Sequence, residues 1–125
     1  MAERQETMER RLLDPDRDYG AMVEAQRLSW DINFPDDLFI ESIFRTSLKS
    51  AVRRGEVFVY EEEGEVIGWL WLDLGRPWVA VHIRHIQVVR SRWGLGYGRR
   101  ILQDAMAICR EHGGRVLTLN VTKSN

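Results

Sequence analysis

Two histidines, three glycines and a run of arginines are the residues of this chain with the most chemistry to offer. His82 and His85 sit in the β-branched stretch "WVAVHIRHIQVV", residues 78 to 89, and an unperturbed imidazole titrates near ~6.5, where it can exchange a proton at neutral pH. Immediately after it, "RSRWGLGYGRRIL" places glycines at 94, 96 and 98 among Arg90, Arg92, Arg99 and Arg100. Glycines between a strand and a helix let main-chain N–H groups crowd around a ligand without interference from Cβ, and the helix N-terminus adds a partial positive charge. That is a phosphate cradle; the same spacing also suits a tight strand-to-helix turn that needs positive φ. Two familiar cradles are excluded by residue type. A Walker A loop ends in Gly-Lys-Ser/Thr, whereas Gly98 is followed by Arg99 and Arg100, and a dinucleotide G-x-G-x-x-G from Gly94 or Gly96 needs glycine where Arg99 or Ile101 stands.

The elements that would position these residues follow from apolar periodicity. "ERRLLD" (9 to 14) reads as a short strand, and the segment from Asp14 to Trp30 opens with turn and N-cap residues before a helix carrying Met22, Val23, Ala25 and Leu28. Leu38, Phe39, Ile43, Phe44, Leu48 and Val52 recur at helical spacing and predict a second helix from Pro35 or Asp36 to Arg53, ended by Gly55. "EVFVYEEEGEVIGWLWLDL" predicts a hairpin of strands 56 to 61 and 66 to 74, the second apolar on both faces and therefore covered on both sides. A strand over 78 to 89 follows the hairpin. Beyond the glycines, Ile101, Leu102, Ala105, Met106 and Cys109 form the stripe of a helix that stops at Gly113-Gly114, and "RVLTLNV" (115 to 121) is a last strand. Strand, glycine loop, helix and strand make a βαβ unit with parallel strands. The whole predicts an α/β fold on a mixed, mostly antiparallel sheet with helices on both faces. Alternation would set His82 on the face of Arg84, Ile86 and Val88, and His85 opposite with Ile83 and Gln87, unless a bulge shifts the register.

At 125 residues the chain suits one domain, 1 to 125. Hydrophobic residues at 44% and charged residues at 30% fit a soluble globular protein. "MAERQETMERR" has no apolar signal-peptide core and no spanning stretch follows, so a cytoplasmic protein is expected. The single cysteine, Cys109, has no partner for an internal disulfide and reads as a small core residue. The net charge of −1 conceals an asymmetry: residues 1 to 75 hold 9 Lys and Arg against 17 Asp and Glu, while residues 76 to 115 hold 8 arginines against Asp104 and Glu111. The basic part carries the glycines, which favours an anionic ligand there.

"IQVVRSRWGLGYGRRIL" resembles the acetyl-CoA signature of the GCN5-related N-acetyltransferases, Q/R-x-x-G-x-G/A between the fourth strand and third helix, with Gly96 and Gly98 on its small positions and Trp93 where Gln or Arg is usual. The resemblance extends over the chain: two helices after a first strand, the "VYEEEGEVIGWLWL" hairpin, and "LTLNVTKSN", whose Asn125 falls on an asparagine that opens the next helix. It implies that Trp93, Gly94, Leu95, Gly96, Tyr97, Gly98 and Arg99 hold the pyrophosphate, chiefly through main-chain N–H groups. The backbone of Gln87, Val88 and Val89 would pair with the pantetheine arm, the Val88 N–H taking the acetyl oxygen, and Asn125 would join the cofactor site. His82 and His85 are the candidate bases for direct attack of an amine on acetyl-CoA, which requires oriented reactants, a stabilised oxyanion and two managed protons.

The connection between the first two helices lines the acceptor site in that family. Here it reads "SWDINFPDD", so Trp30, Asp31 and Phe34 are candidate acceptor contacts, and Asp31, Asp36 and Asp37 beside aromatics would suit a cationic or aromatic amine. The tryptophans at 69, 71 and 78 read as core and sheet cover. The expected reaction is acetyl transfer to a primary amine of a small molecule or peptide, with no metal, nucleic acid or membrane involved. Family members continue through a helix and two strands that include a tyrosine acid, so the sequence is also read as a domain incomplete after the fifth strand. Two competing readings remain: an acyl-CoA-binding or regulatory module without turnover, and a chain whose exposed last strand pairs with another copy in a homodimer.

Overall fold

The computed structural model describes residues 8–33, 36, 38–74 and 80–119. In chain order the elements are β1 (Glu9–Leu12), α1 (Pro15–Asn33), α2 (Glu41–Arg53), β2 (Val57–Glu62), β3 (Glu65–Asp73), β4 (Val81–Val88), a 3₁₀ turn (Arg90–Arg92), α3 (Tyr97–Glu111) and β5 (Leu117–Leu119). The strands lie side by side in sequence order; β1 to β4 pair antiparallel and β5 joins β4 in parallel after the crossover through α3. This is the mixed, mostly antiparallel sheet that the sequence predicts.

One helical layer covers each face. Val57, Val59, Trp69 and Trp71 pack under Met22 and Val23 of α1 and Phe44, Leu48 and Ala51 of α2. On the other face, Tyr60, Ile67, Leu70, Leu72, Val81 and Ile83 pack against Tyr97, Ile101, Ala105, Ile108 and Cys109 of α3. β3 therefore runs apolar on both sides, and Cys109 is a buried core residue. The hairpin turns at Glu63 and Gly64, both at positive φ, and the α3 C-terminus closes with the Gly114 N–H donating to the Cys109 carbonyl at 2.9 Å.

Three boundaries differ from the periodicity. α2 starts at Glu41, not near residue 36, because Ile40 is in extended backbone. The preceding segment turns Phe39 between Trp30 and Phe44, with ring centroids 5.9 and 5.8 Å away, and leaves Leu38 81% exposed. Stacking outweighs helix propensity there. β4 spans only 81–88, and β5 begins at Leu117 where Arg115 was expected, its expected end at residue 121 lying outside the described residues. Met106, placed on the buried stripe of α3 by its spacing, is exposed.

Gly68 fixes how closely α3 approaches the sheet. A Cβ there would lie 2.9 Å from the Gln87 carbonyl oxygen and 2.9 Å from Ile101 Cδ1, and the first of these is backbone. Overpacking of this kind costs about 1–3 kcal/mol. Gly68→Ala is expected to lower the Tm by roughly 4 °C or more in thermal unfolding; an unchanged Tm would contradict the close approach.

Candidate acetyl-CoA and acceptor site

The site is built along the part of β4 that stays paired with β3 but runs beyond the described residues of β5. β4 pairs with β5 only through Val81, His82 and Ile83, so beyond Ile83 its outer edge has no β5 partner among the described residues. The Val89 N–H donates to the Ile67 carbonyl on β3 at 2.9 Å, and the alternation of strand hydrogen bonds turns the Val88 peptide groups the other way. The Val88 carbonyl confirms this orientation, since it accepts from the Trp93 indole N–H at 2.7 Å. The Val88 N–H thus faces the open edge.

The glycine loop then wraps into α3. Gly94 and Gly96 have φ of 75° and 87°, and Gly96 occupies the N-cap of α3 with no side chain capping it. The first N–H groups of a helix have no intrahelical acceptor, so this left-handed glycine cap offers donors to a ligand. A Cβ on Gly98 would meet only Val88 Cγ2, at 3.9 Å, so packing within the fold does not require glycine there. Tyr97 is 1% exposed and its hydroxyl donates to buried Glu62 at 2.5 Å. Its side chain anchors the loop while its backbone remains in the cradle.

Only part of the arginine cluster is free to meet an anion. Arg92 is committed to Glu62, with Nε donating at 3.3 Å, and Arg100 lies 3.9 Å from Asp104. Arg90 covers the Trp93 ring at 5.3 Å, and exposed Arg99 makes no ion pair among the described residues.

Two cavities meet along Ile86, Gln87 and Val88. One, of about 380 Å³, is walled by the loop from Arg92 to Gly98. The other, of about 800 Å³, lies under α1 between Glu24, Leu28, Ser29, Trp69 and His85. Trp93 lines both. The wall of the larger cavity collects unsatisfied groups: Trp69 Nε1, His85 Nε2 and Gln87 Oε1 are buried with no hydrogen-bond partner. Buried polar atoms are nearly always paired, so three orphans on one cavity wall mark a place for a polar ligand.

The two histidines do not lie on opposite faces. The β3–β4 register passes from Trp71↔His85 to Leu72↔Ile83, leaving Arg84 as a bulged residue, and Asp73↔His82 continues on the side of Trp71. His82, Arg84, His85 and Gln87 therefore share the face beneath α1 and α2. His85 lines the larger cavity, whereas His82 is hydrogen-bonded through Nδ1 to Thr118 Oγ1 at 2.7 Å and lines neither of the two. Burial pushes the His85 imidazole down to about 4, with neighbouring Gln87 partly opposing the shift.

A histidine held neutral in the fold but titrating near ~6.5 when unfolded contributes stability above that pH, lost as pH falls toward the folded value. The urea midpoint should therefore fall from pH 7 to pH 5 more in the native chain than in His85→Gln. Equal falls would contradict the burial of His85.

Trp30 lines a third, aromatic cavity between α1 and α2, while Asp31 is exposed on α1 and lines none of the three. Phe34, Asp37, Trp78 and Asn125 fall outside the described residues. Trp69 and Trp71 are core residues, as expected, and also wall cavities. Sequence reading missed Glu24, Ser29 and Arg84. Ala21, Ala25 and Leu28 recur at i, i+4 and i+7, and the small side chains leave room beneath α1; that stripe reads as ordinary helix core until the cavity is seen.

Comparison with known proteins bears on this geometry. The acetyltransferase (GNAT) family matches residues 19–125. Among solved structures, a predicted acetyltransferase from Clostridium acetobutylicum, determined with acetyl-CoA, is similar at TM-score 0.73 and 15% identity, covering 93% of this chain and 82% of its own. The PaiA N-acetyltransferase of Thermoplasma acidophilum, in complex with coenzyme A, superposes at TM-score 0.72 with 17% identity over 94% of this chain and 81% of that one. A GNAT family acetyltransferase of Staphylococcus aureus gives 0.62 and 17%, covering 95% and 90%. A search of curated proteins returned no match. The fold, the glycine-led helix and the family match together place this chain in the GNAT acetyltransferase family.

Proposed function

We propose that this protein is an acetyl-CoA-dependent N-acetyltransferase. The carrying observation is the junction of the two cavities, where a glycine-led helix start with no side-chain cap opens onto the edge of β4 that has no strand partner among the described residues. Main-chain N–H groups of residues 94–99 would hold the pyrophosphate, with Arg99 adding charge. Charge-assisted bonds from fixed amides are stronger than exposed arginine contacts, so the backbone dominates. Within Gln87 to Val89, the outward-facing peptide groups of Val88 would pair with the pantetheine arm, since Gln87 and the Val89 N–H are engaged with β3. The Trp93 indole must then yield the Val88 carbonyl.

The acceptor would enter the larger cavity. Its amine nitrogen attacks the thioester carbonyl, the C–N bond forms as the C–S bond breaks, and the proton lost by the amine ends on the departing thiolate. The Val88 N–H would stabilise the oxyanion. His85 is the base candidate favoured by position over His82, its neutral Nε2 being available to accept, and Glu24 on the opposite wall would attract a cationic amine. A base lowered to about 4 gives little driving force at neutral pH, which favours the second reading, an acyl-CoA-binding module without turnover.

Thiol release from acetyl-CoA, followed with a thiol reagent across a panel of primary amines, separates the two. Amine-dependent release of free coenzyme A supports the transferase. Coenzyme A binding without release from any amine supports the binding module. We further propose that the protein acts on a small-molecule or peptide amine without nucleic acid or metal. No described helix is long and apolar enough to cross a membrane, and no described cluster of His, Cys, Asp or Glu could hold a metal ion.

A further inference from the structure

The third cavity, of about 250 Å³, lies between α1, α2 and the sheet. Its walls include Trp30, Phe39, Phe44 and Trp71, with Gln26 and Arg84 as the polar groups that matter. No carboxylate among the described residues lines it. Asp31 and Asp36, expected to give an acceptor pocket its charge, are exposed and do not line it, Asp37 lies outside the described residues, and the charge among the described lining residues is positive. The β4 bulge turns Arg84 onto this face, where its guanidinium lies 4.7 Å over the Trp71 ring and makes no ion pair among the described residues. A stacked guanidinium is weakly hydrated and presents its donors in a planar fork that matches a carboxylate.

A second observation points to a ligand. Among the described residues, five buried polar side-chain atoms have no hydrogen-bond partner: Gln26 Oε1, Trp69 Nε1, Trp71 Nε1, His85 Nε2 and Gln87 Oε1. Every one belongs to a residue lining this chamber or the larger cavity beside it. The two spaces adjoin, because Trp71 walls one, His85 walls the other, and the two residues are directly paired across β3 and β4.

We propose that the aromatic chamber is a specificity pocket for the acceptor and selects amines whose distal end is apolar or aromatic and carries a carboxylate. Arg84 and the Trp71 N–H receive the carboxylate, and the aromatic rings receive the apolar body. The word acceptor rests on the acetyl-transfer reading; the carboxylate pocket itself does not.

The test titrates the full chain with 3-phenylpropionate and with 2-phenylethylamine, read by calorimetry and by tryptophan fluorescence. The carboxylate should bind about tenfold more tightly or better, as expected for a charge-assisted hydrogen bond. Arg84→Gln should abolish that preference and Arg84→Lys should keep part of it. In acetyl transfer, 4-(2-aminoethyl)benzoate should then outperform 2-phenylethylamine in the native chain but not in Arg84→Gln. Equal or tighter binding of the amine, a carboxylate affinity untouched in Arg84→Gln, or no binding of either probe would overturn the proposal. Arg84-dependent binding of 3-phenylpropionate in a chain that does not bind acetyl-CoA would uphold the pocket and remove the transferase reading. The converse would remove the pocket alone.

Discussion

Gly98→Ala should weaken coenzyme A binding by about 100-fold while leaving the fold intact or slightly more stable. The reasoning separates two effects of one methyl group. Within the fold, the added Cβ meets only Val88 Cγ2 at 3.9 Å, and α3 gains a better helix former, worth about 0.5–1 kcal/mol. Toward a ligand, the methyl projects into the cavity walled by the glycine loop and holds a phosphate away from the amides. Losing about two charge-assisted hydrogen bonds costs roughly 3 kcal/mol, which is the 100-fold. Calorimetric titration with coenzyme A beside a thermal melt reads both quantities. Unimpaired binding would show that Gly98 is only a turn residue, and a large fall in Tm would show a packing role.

Arg11→Met should be the most destabilising of the changes considered, by about 3–5 kcal/mol, without touching ligand binding. Asp18, at the start of α1, is 3% exposed and accepts from Arg11 Nη1 at 2.7 Å and Nη2 at 2.9 Å, and from the Asp14 N–H at 2.9 Å. Arg11 also reaches Glu61 on β2, tying β1, α1 and β2 together. Burial pushes the Asp18 carboxyl up, but the Arg11 hydrogen bonds and the Asp14 N–H outweigh it and hold the group below its ordinary value. Its contribution is therefore present at neutral pH and lost as pH falls through the folded pKa.

Without Arg11 the buried charge stands uncompensated. The Tm should fall by roughly 10 °C or more. Adding Asp18→Asn should recover much of the loss, because removing both charges is far less costly than stranding one. A fall of only a degree or two, or no rescue, would contradict this reading of the network.

The fold was largely legible because its signals are local. The hairpin strands expected at 56–61 and 66–74 form at 57–62 and 65–73, and the Glu63-Gly64 turn and the Gly113-Gly114 stop appear where expected, each being set by neighbours in sequence. The parallel β4–β5 crossover followed from the order of elements. The start of α2 was misjudged because Phe39 is positioned by Trp30 and Phe44, contacts that periodicity does not record.

The glycine turn into α3, with Gly94 and Gly96 at positive φ, was readable from residue type and spacing. The acceptor side was less so, for a single reason: the bulge at Arg84. Strict alternation separates the two histidines and gives no special place to Arg84. One bulged residue puts them all on one face, and its position depends on cross-strand pairing with β3. The place of Arg84 at the aromatic chamber was missed for the same reason, since Asp31, Asp36 and Asp37 are close to the aromatics in sequence whereas Arg84 is close in space, Asp37 lying outside the described residues.

Residues 87–99 are proposed to bind a coenzyme A thioester. The most direct measurement is the thermal shift of the chain with acetyl-CoA, coenzyme A and NAD in parallel. A ligand at about 100 times its dissociation constant stabilises the native state by roughly 2.7 kcal/mol. The expected result is a rise of several degrees with acetyl-CoA and coenzyme A, none with NAD, and loss of the rise in Gly98→Ala. No shift with either coenzyme A compound, or an equal shift with NAD, would contradict the account.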